Sequence, residues 1–282
     1  MPTPAGIWRP TEIRYFIESW DTGTEVALVA TDAGNGYIKA LGNRGGEHCL
    51  ACEWVGTNLA RWFGLPTFDF TLIEVTDVDE IPFKSGAAAQ PGPAFITRAE
   101  SGEPWSGKAV QLGKVVNPRD VSRLIVFDTW VLNCDRYAPN KRRKPNYNNV
   151  FLSAEAPEGR LVLKAMDHTH VFTCGRDITP RVADIDHVKD EDCYGCFPEF
   201  RKLIQLEAFR EALDDLASLD RLVVEEVVRS IPAEWGVSEK ARQALVKLIE
   251  ERARYLSSNR TGIMGMHLLQ QGLDLPESGE GS

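Results

Sequence analysis

The chain has no apolar run near the ~20 residues a helix needs to cross a bilayer. Its best candidate, residues 124–132, is short and broken by Asp128. Basic residues are in deficit too: 32 Lys and Arg face 41 Asp and Glu, a formal net charge of −9. Broad attachment to a nucleic-acid backbone needs the opposite balance, so no direct nucleic-acid binding is expected. Residues 1–10 lack a basic start followed by an apolar stretch, so no secretory signal is expected and a cytoplasmic location follows by default. That compartment disfavours structural disulfides. Neither the P-loop pattern G-x-x-x-x-G-K-[ST] nor the dinucleotide pattern G-x-G-x-x-G occurs.

Cysteine is sparse, six residues in 282, but two pairs have C-x-x-C spacing: Cys49/Cys52 and Cys193/Cys196. Four-thiolate zinc sites usually bring such pairs ~15–20 residues apart. These lie far apart in the chain, and the first falls inside a predicted helix. Buried thiols are the expected state, with zinc or redox chemistry as the alternative.

What is present reads as an α+β chain. Residues 13–17, 25–29 and 37–40 are β-rich, and Asp32-Ala33-Gly34-Asn35-Gly36 between the last two is hairpin chemistry. A glycine loop at 42–46 precedes a helix over 47–63, which Gly64 and Pro66 stop. Strands are expected at 68–75 and 92–97, and a mobile loop at 84–93. From Asn117 the pattern turns helical, with Asn117 as N-cap and Pro118 at the first helical position. The period over 121–132 is helical, and Asp128 interrupts its apolar stripe. Further helices are expected at 200–216, 222–231 and 239–256, with a disordered tail at 276–282. The domain reading is a β-rich lobe with one helix (1–100) and a mainly helical lobe (101–275).

Four polar residues stand where these elements begin or end. Lys39 lies on a strand after a glycine turn, placed to neutralise nucleotide phosphates if a carboxylate holds it; Glu53, mid-helix among apolar neighbours, is the candidate. Asp135, in Asn133-Cys134-Asp135-Arg136, sits in a tight turn after the long helix, with Arg136 expected to pin that turn from behind. Asn149 precedes the short strand 150–152, and Asp167 follows the strand 161–166. An amide oxygen and a carboxylate are suitable magnesium ligands, and Asn140 competes with Asn149 for that role. This is the arrangement that a kinase-type Mg-ATP site requires. The other readings are a surface lysine, a capping aspartate and turn asparagines. His168 and His170 invite a metal-ligand reading but lack a third partner, so loop or packing roles are expected. Lys141, Arg142, Arg143 and Lys144 fall between Asp135 and Asn149 and are candidates for docking an anionic substrate, against a solvated loop. The 42–46 loop is a candidate cover for phosphates.

These residues resemble the HipA-like kinase family, a branch of the protein-kinase-like superfamily with affinities to phosphatidylinositol kinases. The matching segments are Gly36-Tyr37-Ile38-Lys39-Ala40, Glu53 with its helix, Asn133-Cys134-Asp135-Arg136 and Met166-Asp167-His168. The resemblance implies a bilobal kinase fold, ATP and Mg²⁺. It makes Asp135 the catalytic base, Lys39 the phosphate ligand, and Asn149 (or Asn140) and Asp167 the magnesium ligands. Phe95, Ile96 and Thr97 become the backbone hinge for adenine. Tyr137 stands where many relatives have histidine. Transfer to Ser or Thr of a protein substrate is the expectation, with an antitoxin or other partner protein left open and no membrane association. A lipid or small-molecule kinase, and a nucleotide-binding pseudokinase acting as an interaction module, are the alternatives.

Overall fold

The structure, a computed structural model, describes residues 8–139, 144–260 and 262. It opens with strands β1 (Ile13–Ser19), β2 (Ala27–Thr31) and β3 (Gly34–Lys39). Asp32 and Ala33 turn β2 into β3, and Gly34 accepts the φ of 102° that the corner requires. After helix α1 (Glu47–Trp62) come β4 (Phe70–Val75) and β5 (Gly92–Arg98). The five strands pair antiparallel in the order β1-β2-β3-β5-β4. Strand alternation divides their side chains. Ile38 and Ile96 join Val29 and Ile73 in an apolar cluster on one face. Tyr37, Lys39, Phe95 and Thr97 turn to the other, toward a cavity.

Helix α1 ends as its sequence predicts. Gly64 adopts φ 76°, its N–H bonds Arg61 O at 3.1 Å, and Leu65 N bonds Ala60 O at 3.0 Å, a Schellman closure.

The second half contains β6 (Gly102–Pro104), α2 (Ala109–Leu112), α3 (Arg119–Trp130), β7 (Val150–Ser153), β8 (Val162–Ala165), α4 (Ile185–Val188), α5 (Leu206–Ala217), α6 (Arg221–Arg229) and α7 (Glu239–Ser258). Strands β6, β7 and β8 form a small antiparallel sheet. The molecule is thus α+β, β-rich first and mainly helical after. Its larger core is continuous across the halves: Leu50, Val55 and Leu59 of α1 belong to the same buried cluster as Phe127, Trp130 and Leu245. Trp54 Nε1 adds a 2.8 Å bond to Ser230 Oγ, and His48 Nδ1 accepts from Ile178 N at 2.9 Å.

Several local expectations change. Asn117 does not cap α3. Its side chain pairs with Leu163, accepting from the N–H and donating to the carbonyl, both at 2.9 Å, and so ties β8 to the start of α3. The helix expected over 200–216 is two pieces, a 3₁₀ turn at Pro198–Lys202 and then α5, because Gln205 N is drawn to Ser122 Oγ at 2.8 Å. Residues 84–93 are tied down by Ala89 N to Ile81 O (3.0 Å) and Gln90 N to Leu41 O (2.9 Å). Against the expectation of no disulfide, Cys134 and Cys174 are joined, with Cα atoms 5.7 Å apart. Cys49 and Cys52 are buried thiols, and burial pushes Cys49 up to about 12. Cys193 and Cys196 are also buried. Among the described residues no helix is long and apolar enough to cross a membrane. The tail at 276–282 lies outside the described residues.

Candidate active site

Lys39 leaves the end of β3 and reaches two carboxylates. Its Nζ is 2.7 Å from Glu53 Oε2 and 3.1 Å from Asp167 Oδ1. Burial pushes the ammonium down, but Asp167 and Glu53 outweigh it, and Lys39 stands above its ordinary value. Burial pushes the Asp167 carboxyl up, and Lys39 and the Thr169 hydroxyl more than reverse this, leaving it well below the usual carboxylate range. Both groups are therefore charged at neutral pH. Glu53 is held from three sides: by Lys39, by the His168 N–H at 3.0 Å and by Thr57 Oγ1 at 3.3 Å.

Asp135 lies in the turn after α3, where Asn146 and Asn149 each donate a side-chain N–H to its Oδ2 at 3.0 Å. Arg136 points the other way. Its Nε meets Asp128 Oδ2 at 2.7 Å, and its Nη1 donates to the carbonyls of Asn149 and, at 3.1 Å, Met166. One buried guanidinium thus fixes Asp135's turn, the backbone of Asn149 and the residue before Asp167. The sequence pointed to Arg136 as the pin; its partner Asp128 was visible only as an acid in an apolar stripe. Asn146 was missed, since nothing separates it from other turn asparagines. Tyr137 packs on Phe197, ring centroids 5.3 Å apart, and does not line the cavity.

Lys39, Glu53, Asp135, Asn149 and Asp167 all line one cavity of about 780 Å³. Phe95, Phe68, Phe151 and Met166 give it apolar walls, and Thr97, Glu100 and Gly102 also line it. Phe95, Ile96 and Thr97 do not fit the hinge role assigned to their backbones. β5 is the strand between β3 and β4: Phe95 stands opposite Lys39 and Leu72, Ile96 opposite Ile38 and Thr71, Thr97 opposite Tyr37 and Phe70. Their peptide groups are consumed by the two ladders, and the side chain of Ile96 lies in the cluster on the far face. Nor does the 42–46 loop line the cavity; the β1–β2 turn does, through Thr22, Gly23 and Thr24. No glycine motif marks that turn.

His168 is buried, with Nδ1 3.0 Å from Thr57 Oγ1 and its ring edge-on to Phe127. Burial holds it well below the ordinary histidine value, so it is neutral. His170 Nδ1 is 3.9 Å from Asp135 Oδ2. Among the described residues no group of three or more His, Cys, Asp or Glu side chains could hold a metal. Asn140, Lys141, Arg142 and Arg143 lie outside the described residues; Lys144 is exposed.

A hard divalent cation nevertheless fits the donor set. Among the described residues the side-chain hydrogen bonds of Asp167 all use Oδ1, Asp167 lines the cavity, and Asn149 gives its amide N–H to Asp135. Two protein oxygens, with phosphate oxygens and waters completing the shell, is the habit of magnesium.

No curated protein matches this chain. It is similar to the crystal structure of a Helicobacter pylori proinflammatory kinase, CtkA, with a TM-score of 0.51 and 12% identity, covering 94% of this chain and 100% of that one. At that identity the likeness bears on fold, and the fold is kinase-like. The family model described as HipA-like kinase matches residues 17–259, a span that takes in Lys39, Glu53, Asp135, Asn149 and Asp167. The chain therefore belongs to the HipA-like kinase family.

Proposed function

We propose that this kinase uses Mg-ATP and transfers the γ-phosphoryl group to a hydroxyl, Ser or Thr of a protein. The observation that carries the reading is Lys39 Nζ held between Glu53 and Asp167, sharing one cavity with Asp135. A fixed ammonium there neutralises nucleotide phosphates without reorganising during the reaction. A loose phosphoryl transition state asks its base mainly for alignment. Two amide N–H groups on Oδ2 orient the Asp135 carboxylate, which aligns the acceptor hydroxyl and takes its proton. Asp167 and Asn149 would hold magnesium, which when bound offsets charge on the triphosphate.

Because the backbones of residues 95–97 are committed to the sheet, the adenine hinge in this reading falls in the short connection between β5 and β6, at residues 100–101. The lobe boundary stays near residue 100. A protein acceptor, a partner protein or antitoxin, and a cytoplasmic setting belong to the same proposal. The Cys134–Cys174 bond weighs against that compartment, where disulfides are mostly transient. The complete set of Lys39, Glu53, Asp135 and Asp167 weighs against a pseudokinase.

The test is ATP turnover with and without magnesium in wild type, Asp135→Ala and Asp167→Ala. Magnesium-dependent turnover in wild type alone is expected; equal turnover in all three would refute the assignment. Incubation with γ-labelled ATP and a cell lysate then identifies the acceptor. Label confined to lipid or a metabolite would replace the protein substrate.

A further inference from the structure

The 42–46 loop follows β3 by two residues, Ala40 and Leu41, yet lines no part of the cavity. Its interior is built by Asn43, whose side chain donates to Ala40 O at 2.7 Å and accepts from Gly45 N at 2.8 Å. The result is a firm platform facing the β1–β2 turn. Gly45 is pressed so close to that turn that a Cβ would meet Thr24 Cγ2 at 3.2 Å. Arg44 projects from the platform and grips the turn at three residues. It pairs with Asp21, donates to Thr22 O at 3.2 Å, and engages both oxygens of Glu25: backbone N–H to Oε2 at 3.0 Å and Nε to Oε1 at 3.5 Å.

The three contacts differ in weight. Asp21 is largely exposed, and an exposed ion pair contributes little. Glu25 is wholly buried, and its Oε1 has no hydrogen bond among the described residues. A buried carboxylate is costly without a compensating cation, and Arg44 is its ion-pair partner among the described residues. Glu25 also sits at φ 51°, a conformation that a non-glycine residue keeps only when its surroundings hold it.

We infer that Arg44 is a positioning residue that holds the Thr22-Gly23-Thr24 turn over the nucleotide phosphates, with buried Glu25 as its anchor. The inference rests on the ATP-site reading above. Arg44 touches no reacting atom; it sets where the backbone N–H groups of the turn point.

The test compares wild type with Arg44→Gln and Arg44→Lys by steady-state kinetics with Mg-ATP and by hydrogen–deuterium exchange. Arg44→Gln is expected to raise KM for ATP about tenfold, the scale of one lost charged hydrogen bond, with kcat nearly unchanged. Exchange should quicken in residues 21–26 and not in α1. Arg44→Lys, which keeps the charge without the fork, should fall between, and it carries the test if Arg44→Gln does not fold. An unchanged KM with unchanged exchange would overturn the inference. So would a fall in kcat at constant KM, or quicker exchange across the whole protein. Wild type failing to turn over ATP would sink the ATP-site reading instead, while exchange would still report whether Arg44 holds the turn.

Discussion

Arg136 Nε lies 2.7 Å from Asp128 Oδ2, and both side chains are fully buried. Burial pushes the Asp128 carboxyl up while Arg136 holds it down, so the pair is worth most when intact. Removing one partner strands the other charge: Asp128→Ala is expected to cost about 3–5 kcal/mol by urea unfolding. Asp128→Asn, which keeps the shape and can still accept a bond, should cost less. A stability change under about 1 kcal/mol in Asp128→Ala would show that the guanidinium is held by the carbonyls alone.

Asp135 and Lys39 should fail differently. Asp135→Ala is expected to lower kcat about 10²–10⁴-fold and leave Mg-ATP affinity roughly intact, because its task begins after binding. Lys39→Met should weaken affinity as well, since its ammonium meets the phosphates in the ground state. Nucleotide titration by calorimetry beside single-turnover assays separates the two.

His168 makes stability depend on pH between roughly 5 and 7. In the folded protein burial keeps it neutral, while the unfolded chain takes up a proton near pH 6.5. The unfolded state therefore binds more protons below that value, and stability falls as pH drops, by at most about 1.4 kcal/mol per pH unit. His168→Gln should flatten that slope. An identical slope in the variant would move the effect to another group.

The Cys134–Cys174 bond closes a loop spanning a sequence separation of 40, and loops of that size gain about 2–4 kcal/mol from the link. Reductant should lower the urea midpoint of wild type by a corresponding amount and leave Cys134→Ser unmoved. Equal midpoints with and without reductant would show that the bond is absent in solution.

Gly56 offers a steric test. Alanine normally favours a helix interior by about 1 kcal/mol over glycine. Here a Cβ would stand 2.6 Å from His168 Cβ, and overpacking of that kind costs about 1–3 kcal/mol. Gly56→Ala should therefore be destabilising and slower in turnover, since His168 N–H supports Glu53. A gain in melting temperature would contradict the packing.

The sequence was most readable where chemistry coincides with the end of an element. Lys39, Asp135, Asn149 and Asp167 each close or open a strand or turn, and the structure gathers them in one cavity. The β-rich runs at 13–17 and 37–40 and the Gly64 stop were equally plain. Sheet order was hidden, and with it the fact that β5 is paired on both edges, which is why residues 95–97 looked available as a hinge. The Asp128–Arg136 contact joins residues across the end of a helix, where one-residue differences in unwinding decide who meets whom. The role of the 42–46 loop was misjudged for a related reason: glycine content signals turning ability, but not which neighbour the turn will face.

Helix α1 carries Glu53 and is moored on its far side by Trp54 to Ser230, by His48 to the 178 backbone and by the shared apolar cluster. Swinging it outward to withdraw the glutamate from Lys39 would tear open the interior of the whole molecule. An outward rotation of α1 would cost part of that shared core, so the helix serves as a standing wall of the cleft.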